Sequence, residues 1–207
     1  NSFPSLSSCG CVAANRSVRV HRCHVPGSHP KLPQDATSER MEAPRGGVWR
    51  FRSQQACVER ISSAVRWARR LVVLIGETGQ GKTSVVEALV LRSSVNPLRL
   101  RGKLITDRTD AVLRMVGLVG LRPEGSDIEM LLRLQNKQPV GIEHGIPEII
   151  VDDADHLPND VLRLLRELSS GAYGRSWSIL IVGGEALVKR IQALNPKPAL
   201  PSVILLP

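Results

Sequence analysis

The stretch LVVLIGETGQGKT, residues 71–83, decides how this chain is read. Leu71 to Ile75 is an unbroken apolar run, too short for an independent helix, and predicts a strand covered on both faces. The string from Gly76 to Thr83 then fits G-x-x-x-x-G-K-[ST] at every fixed position. Gly76, Gly79 and Gly81 let the backbone adopt conformations closed to larger residues and approach an anion closely. Successive N–H groups of such a turn point inward as a nest, and the helix that follows adds its positive N-terminal end. Lys82 is placed to reach β- and γ-phosphates, and the Thr83 hydroxyl to ligate Mg²⁺. Gly76, Glu77, Thr78, Gly79, Gln80, Gly81, Lys82, Thr83 and Ser84 therefore form the candidate site for a nucleoside triphosphate, read as ATP with Mg²⁺.

Outward from the loop, the pattern alternates. Upstream, Val58, Ile61, Val65 and Ala68 recur at helical spacing and predict an amphipathic helix over 54–69. Downstream, Val85, Val86, Leu89 and Val90 belong to a second helix. A strand is expected within 97–105, then helices over 108–119 and 126–136. Glu148 to Val151 reads as a second buried strand. Val161, Leu164, Leu165 and Leu168 line one face of a helix, with Arg163, Arg166 and Glu167 off it. Ser178 to Val182 reads as a strand, 185–193 as a helix, and Val203 to Leu206 as a last strand. Strands alternating with helices predict an α/β fold with a mainly parallel five-stranded sheet.

A second motif sits at a strand end. Glu148-Ile149-Ile150-Val151 runs into Asp152-Asp153-Ala154-Asp155. Ligands of α/β sheets bind beyond the carboxyl ends of the strands. Asp152 is the expected partner of Mg²⁺, through a water, because that ion gives up its hydration shell reluctantly. Asp153 is next in line to orient and deprotonate the attacking water. Asp155 reads as a cap for the helix that starts near Pro158.

With both motifs placed, the chain resembles the AAA+ ATPases. It is most similar to the subgroup of the general secretion pathway ATPase (ExeA/GspA type), the ATPase-like part of the cell-division protein DamX, and transposition ATPases of the TniB kind. The shared stretches are LVVLIGETGQGKTS, EIIVDDADHLPNDVLRLLRELSS and SILIVGGEAL, within residues 48–207. The resemblance implies a P-loop NTPase three-layer sandwich and an ATPase that works as a homo-oligomeric ring. It implies turnover coupled to remodelling or assembly of a protein partner, of secretion or cell-envelope type. Three departures qualify it. The residue after the strand-end Asp is usually Glu, and here Asp153 is one methylene shorter, so slow hydrolysis is expected. The γ-phosphate sensor of the family, a polar residue at the end of the next strand, falls at Gly183-Gly184-Glu185, so no sensor is assigned. The C-terminal helical lid is missing, so a truncated core is expected, with any membrane helix or wall-binding module beyond Pro207. Arg166 and Arg175 are candidates for an arginine given to a neighbouring subunit, although surface charge is the plainer reading of both.

Composition sets the outer bounds. The chain has 207 residues, 42% of them hydrophobic but only 3% aromatic, so a core must come from Leu, Val, Ile and Ala. Its net charge of +9 permits contact with nucleic acid without demanding it, because the arginines are scattered. A DNA-associated ATPase of the transposition type is therefore the alternative, beside a nucleotide switch with little hydrolysis. No N-K-x-D guanine motif occurs: the nearest string, Asn136-Lys137-Gln138-Pro139, lacks the Asp, which disfavours a GTPase. A small-molecule kinase would need an acceptor pocket and closing lid that no motif suggests. No apolar run approaches the roughly 20 residues that span a bilayer. Residues 1–47 are read as a disordered leader, rich in Ser, Pro, His and Cys and without periodicity, ahead of the core domain at 48–207. Cys9, Cys11, Cys23, His21 and His24 match no common zinc spacing. A cytoplasmic location is the default, with the cytoplasmic face of a membrane as the variant for a longer protein.

Overall fold

The computed structural model describes residues 20–21, 52–68, 71–92, 96–137, 147–194 and 202–206. A short strand β1 (Val20–His21) comes first, then helix α1 (Arg52–Ala68), strand β2 (Leu71–Ile75) and helix α2 (Lys82–Leu91). Strand β3 (Leu98–Arg101), helices α3 (Arg108–Leu118) and α4 (Asp127–Lys137), and strand β4 (Ile149–Asp152) follow. Helix α5 (Asn159–Ser170), strand β5 (Ile179–Gly183), helix α6 (Glu185–Ala193) and strand β6 (Ser202–Leu205) complete the chain.

All pairings among these strands are parallel, in the order β1-β6-β2-β5-β4-β3. The expected five-stranded parallel sheet is therefore present, β6-β2-β5-β4-β3. The two-residue β1 adds at its edge, in register with Val203 and Ile204. It was not foreseen, since two residues carry no readable period. Cys9, Cys11, Cys23 and His24 lie outside the described residues.

Strand side chains alternate between two cores, as the pleat requires. Leu71, Val73 and Ile75 point into one core with α3, α4, α5 and α6. Val72 and Leu74 point into the other with Cys57, Val58, Ile61 and Val65 of α1 and Val85, Val86 and Leu89 of α2. The result is the three-layer sandwich. On α5, Val161, Leu164, Leu165 and Leu168 are all buried, the stripe that the 3.6-residue period predicted. Removing one of these leucines to Ala would cost about 2–5 kcal/mol.

Local chemistry sets the helix ends. The Asp107 carboxylate accepts the Asp110 N–H at 2.8 Å and caps α3. Ser126 and Glu129 form a capping box on α4: Glu129 Oε2 accepts the Ser126 N–H at 2.7 Å, and Ser126 Oγ accepts the Glu129 N–H at 3.4 Å. Helix α5 stops at Gly171, left-handed at φ 82°. The strand expected within 97–105 is shorter than that span, because at Gly102–Leu104 the chain leaves the sheet for a 3₁₀ turn.

Candidate functional site

The sheet order brings the ends of β2 and β4 to the same crevice. β2 ends in the loop from Gly76, and α2 starts at Lys82, so six residues carry the backbone from strand to helix. Gly79 and Gly81 take φ of 88° and 83°, a left-handed region that side chains rarely enter. Close approach constrains Gly76 as well: a Cβ there would lie 2.6 Å from Gln80 Oε1 and 3.1 Å from Leu206 Cβ. Gln80 turns its carboxamide back to accept the Glu77 N–H at 2.6 Å.

Lys82 opens α2, and its ammonium donates to the carbonyls of Gly76 and Glu77, each at 2.8 Å. The cation thus hangs over the first residues of the loop on neutral acceptors that an anion can outcompete. Next in the helix, Thr83 Oγ1 donates to Asp152 Oδ2 at 3.3 Å across 69 positions of sequence. The two sequence motifs are one site. Asp152 ends β4, and its other oxygen accepts the Asp153 N–H at 3.0 Å. A hydroxyl at the start of α2 and a carboxylate at the end of β4 are the hard oxygen donors that Mg²⁺ takes. The glycines, the Lys82 ammonium and this pair fit a triphosphate with its metal.

Asp153 is the one non-glycine residue with positive φ among the described residues, at φ 54° and ψ 39°. Such backbone costs about 1–3 kcal/mol and concentrates at functional sites. Gly102 lies against it so closely that a Cβ there would meet the Asp153 carbonyl at 2.5 Å. Lys103, beside that glycine, places its ammonium 3.3 Å from Asp153 Oδ2.

Asp155 caps a different helix from the one expected. Its two carboxylate oxygens both accept the Gly184 N–H at 2.9 Å, at the start of α6 rather than α5. The reason is packing: the turn after β4 lies beside the end of β5, and Gly183 leaves room for the carboxylate. Arg190 of α6 holds the same turn, donating to the carbonyls of Asp155 at 2.8 Å and of Leu157, and to Asn159 Oδ1 at 2.8 Å.

The two arginines considered for a neighbour's site are engaged within the chain. Arg166 donates to the Leu194 carbonyl at 2.9 Å. Arg175 pairs with the buried Glu148 and lies over the Trp177 ring, 4.3 Å from its centroid. Sequence reading missed Lys103, Gln54 and the Asp155–Gly184 cap. A Lys two residues beyond a strand that parallels the acidic strand was the available signal for Lys103. For Gln54, in the first turn of α1, the signal was its place on the buried stripe of Val58, Ile61 and Val65, and the Asp155–Gly184 cap depends on which elements pack side by side.

The profile of a family described as an AAA domain matches residues 66–191, well over half of the chain. The chain belongs to this AAA domain family. Both motifs lie inside the matched span, so the AAA domain is a nucleotide-binding ATPase domain by family. The crystal structure of Cdc6p from Pyrobaculum aerophilum is similar in fold, with a TM-score of 0.54 at 17% identity. That match covers 79% of the AAA domain chain and 48% of the other, so this chain spans about half the length of the protein it matches. At such identity the likeness speaks for the fold alone. Comparison with curated proteins finds no match. No described helix of the AAA domain is long and apolar enough to cross a membrane.

Proposed function

We propose that this AAA domain binds Mg²⁺-ATP in the Gly76–Thr83 loop and hydrolyses it slowly, coupling turnover to remodelling or assembly of a protein partner. The observation that carries the nucleotide reading is the Thr83–Asp152 contact, which joins the phosphate loop to the acidic strand end. Loop N–H groups and the α2 N-terminus hold phosphate oxygens, and Lys82 leaves the Gly76 and Glu77 carbonyls to meet the β- and γ-phosphates. Thr83 and, through a water, Asp152 would hold Mg²⁺, which would neutralise charge that develops on the phosphates. Asp153 orients the attacking water and takes its proton.

Slow turnover is supported by the shorter side chain at 153 and by its pairing with Lys103. Positioning dominates phosphoryl transfer, and this carboxylate is already drawn toward the turn after β3. The secretion or cell-envelope class, and a ring of like subunits, rest on the resemblance of EIIVDDADHLPNDVLRLLRELSS to that subgroup. The net charge of +9 favours a second reading, a DNA-associated ATPase, which strongly salt-dependent DNA binding would support.

Single-turnover hydrolysis tests the assignment of the carboxylates. Asp153→Asn is expected to lower the rate by about 10²-fold or more while ATP still binds, as removal of a general base does. Asp152→Asn is expected to raise the Mg²⁺ concentration needed for half-maximal rate. A wild-type rate in Asp153→Asn would remove Asp153 from the chemistry.

A further inference from the structure

Three polar side chains are buried among the described residues: Gln54, Glu148 and Ser178. Two of them account for each other. Glu148 Oε2 accepts from Ser178 N at 2.9 Å and from Ser178 Oγ at 3.3 Å, with Arg175 alongside. That group lies where β4 and β5 begin, the opposite end of the sheet from the phosphate loop. Gln54 lies at the loop end.

Gln54 sits in the first turn of α1 and is 7% exposed. Its carboxamide nitrogen is so close to Gly81 that a Cβ on that glycine would stand 2.3 Å from it. One turn along α1, the buried Cys57 directs its thiol toward the Leu205 carbonyl at 4.0 Å. Leu206, just past β6, packs on Gly76 and donates its N–H to the Ile75 carbonyl at 2.7 Å. The phosphate loop thus has a rear wall built from α1 and the end of β6, and Gln54 supplies its buried polar group.

Burying a carboxamide is unfavourable where an apolar side chain of the same length would fill the space. The glycines of the loop explain why a polar group is useful there. They permit the left-handed turns, but the same freedom lets the N–H groups point elsewhere, so the restraint must come from outside the loop. Lys82 and Gln80 tie down its first half. Gln54 faces its last turn, where Gly81 has φ 83° and ψ 24°.

We infer that Gln54 is a positioning residue of the phosphate loop: its carboxamide, seated against Gly81, holds the last turn in the shape that receives phosphate. This rests on reading the loop as a phosphate site. Gln54 acts through the loop and not on one nucleotide, so its loss weakens ATP, ADP and GTP by one common factor.

The test compares the full wild-type chain with Gln54→Met, which keeps length and volume, and with Gln54→Glu, which keeps the shape but puts an anion behind the loop. Amide exchange over residues 79–84 without nucleotide is measured beside calorimetric titration of Mg²⁺-ATP and Mg²⁺-ADP. Gln54→Met is expected to melt as the wild type does, to exchange these amides faster, and to lose about tenfold in affinity for both nucleotides, the worth of one buried hydrogen-bonding group. Gln54→Glu is expected to bind more weakly still, with part of the loss recovered at high phosphate-free salt. Wild-type exchange and wild-type affinities in Gln54→Met overturn the inference. If Gln54→Met fails to fold, wild-type exchange in Gln54→Glu overturns it instead. A wild-type chain that binds no nucleotide overturns the phosphate reading, while the exchange measurement still decides the role of Gln54 in shaping the loop.

Discussion

The Lys103 ammonium lies 3.3 Å from the Asp153 carboxylate, spanning the turns that follow the neighbouring strands β3 and β4. Both side chains are about half exposed, at 54% and 48%, so the pair adds little to stability. Its consequence is directional, because it draws the proposed base toward the β3 turn. Lys103→Ala is expected to leave ATP affinity within about twofold and to raise single-turnover hydrolysis by up to about fivefold, what release from a contact of roughly 1 kcal/mol allows. A fall in rate would place Lys103 among the groups that support the reaction.

Gly81→Ala should separate loop geometry from loop charge. A Cβ at residue 81 meets Gln54 at 2.3 Å and would sit on backbone of positive φ. The left-handed conformation alone costs a non-glycine residue about 1–2 kcal/mol. Calorimetry is expected to show ATP binding weakened by about tenfold or more, with Lys82 and Asp152 untouched. Wild-type affinity in this variant would mean the loop does not need the turn at Gly81.

Tyr173 offers a direct optical readout of packing between α3 and α5, since it is the sole tyrosine of the chain. Its hydroxyl donates to Glu167 Oε2 at 2.5 Å and receives the Arg108 guanidinium, which also pairs with Glu167 at 3.1 Å. Burial pushes the phenol pKa up and the bond to Glu167 adds to this, while Arg108 pulls it back less strongly. A phenol whose folded value is raised leaves stability intact below its unfolded value and loses it as pH rises through the folded one. Alkaline titration of the ultraviolet absorbance is expected to show a midpoint above that of free tyrosine, moving down in Glu167→Gln. A midpoint unmoved by that substitution would contradict the geometry of this cluster.

Much of the architecture was legible because it rests on short-range periodicity. The run Leu71 to Ile75 and the stripe Val161, Leu164, Leu165 and Leu168 each announce their element and its buried face, and both are buried. The loop was legible because its chemistry is contiguous in sequence. The loop motif and the strand-end rule each assigned a residue to one metal, Thr83 and Asp152, and their direct contact at 3.3 Å comes from the structure. What was not legible depends on which elements lie side by side. Gln54 continues the helical stripe of Val58, Ile61 and Val65 at i, i+4, i+7 and i+11, so the period puts it on the buried face, but what it meets there, Gly81, depends on where α1 packs. Asp155 reads as a local cap until β5 is placed beside β4, which brings Gly184 to it instead. Lys103 fell inside a stretch read as strand, and the 3₁₀ turn at Gly102–Leu104 aims it at Asp153.

Everything proposed for this chain depends on the Gly76–Thr83 loop binding a nucleoside triphosphate with its metal. Calorimetric titration of ATP into the chain in the presence of Mg²⁺, with Lys82→Ala in parallel and GTP as competitor, tests it most directly. Saturable binding by the wild type, loss of that binding in Lys82→Ala, and weaker competition by GTP are expected. Binding that survives Lys82→Ala unchanged, or a wild-type chain that takes up no ATP, would contradict it.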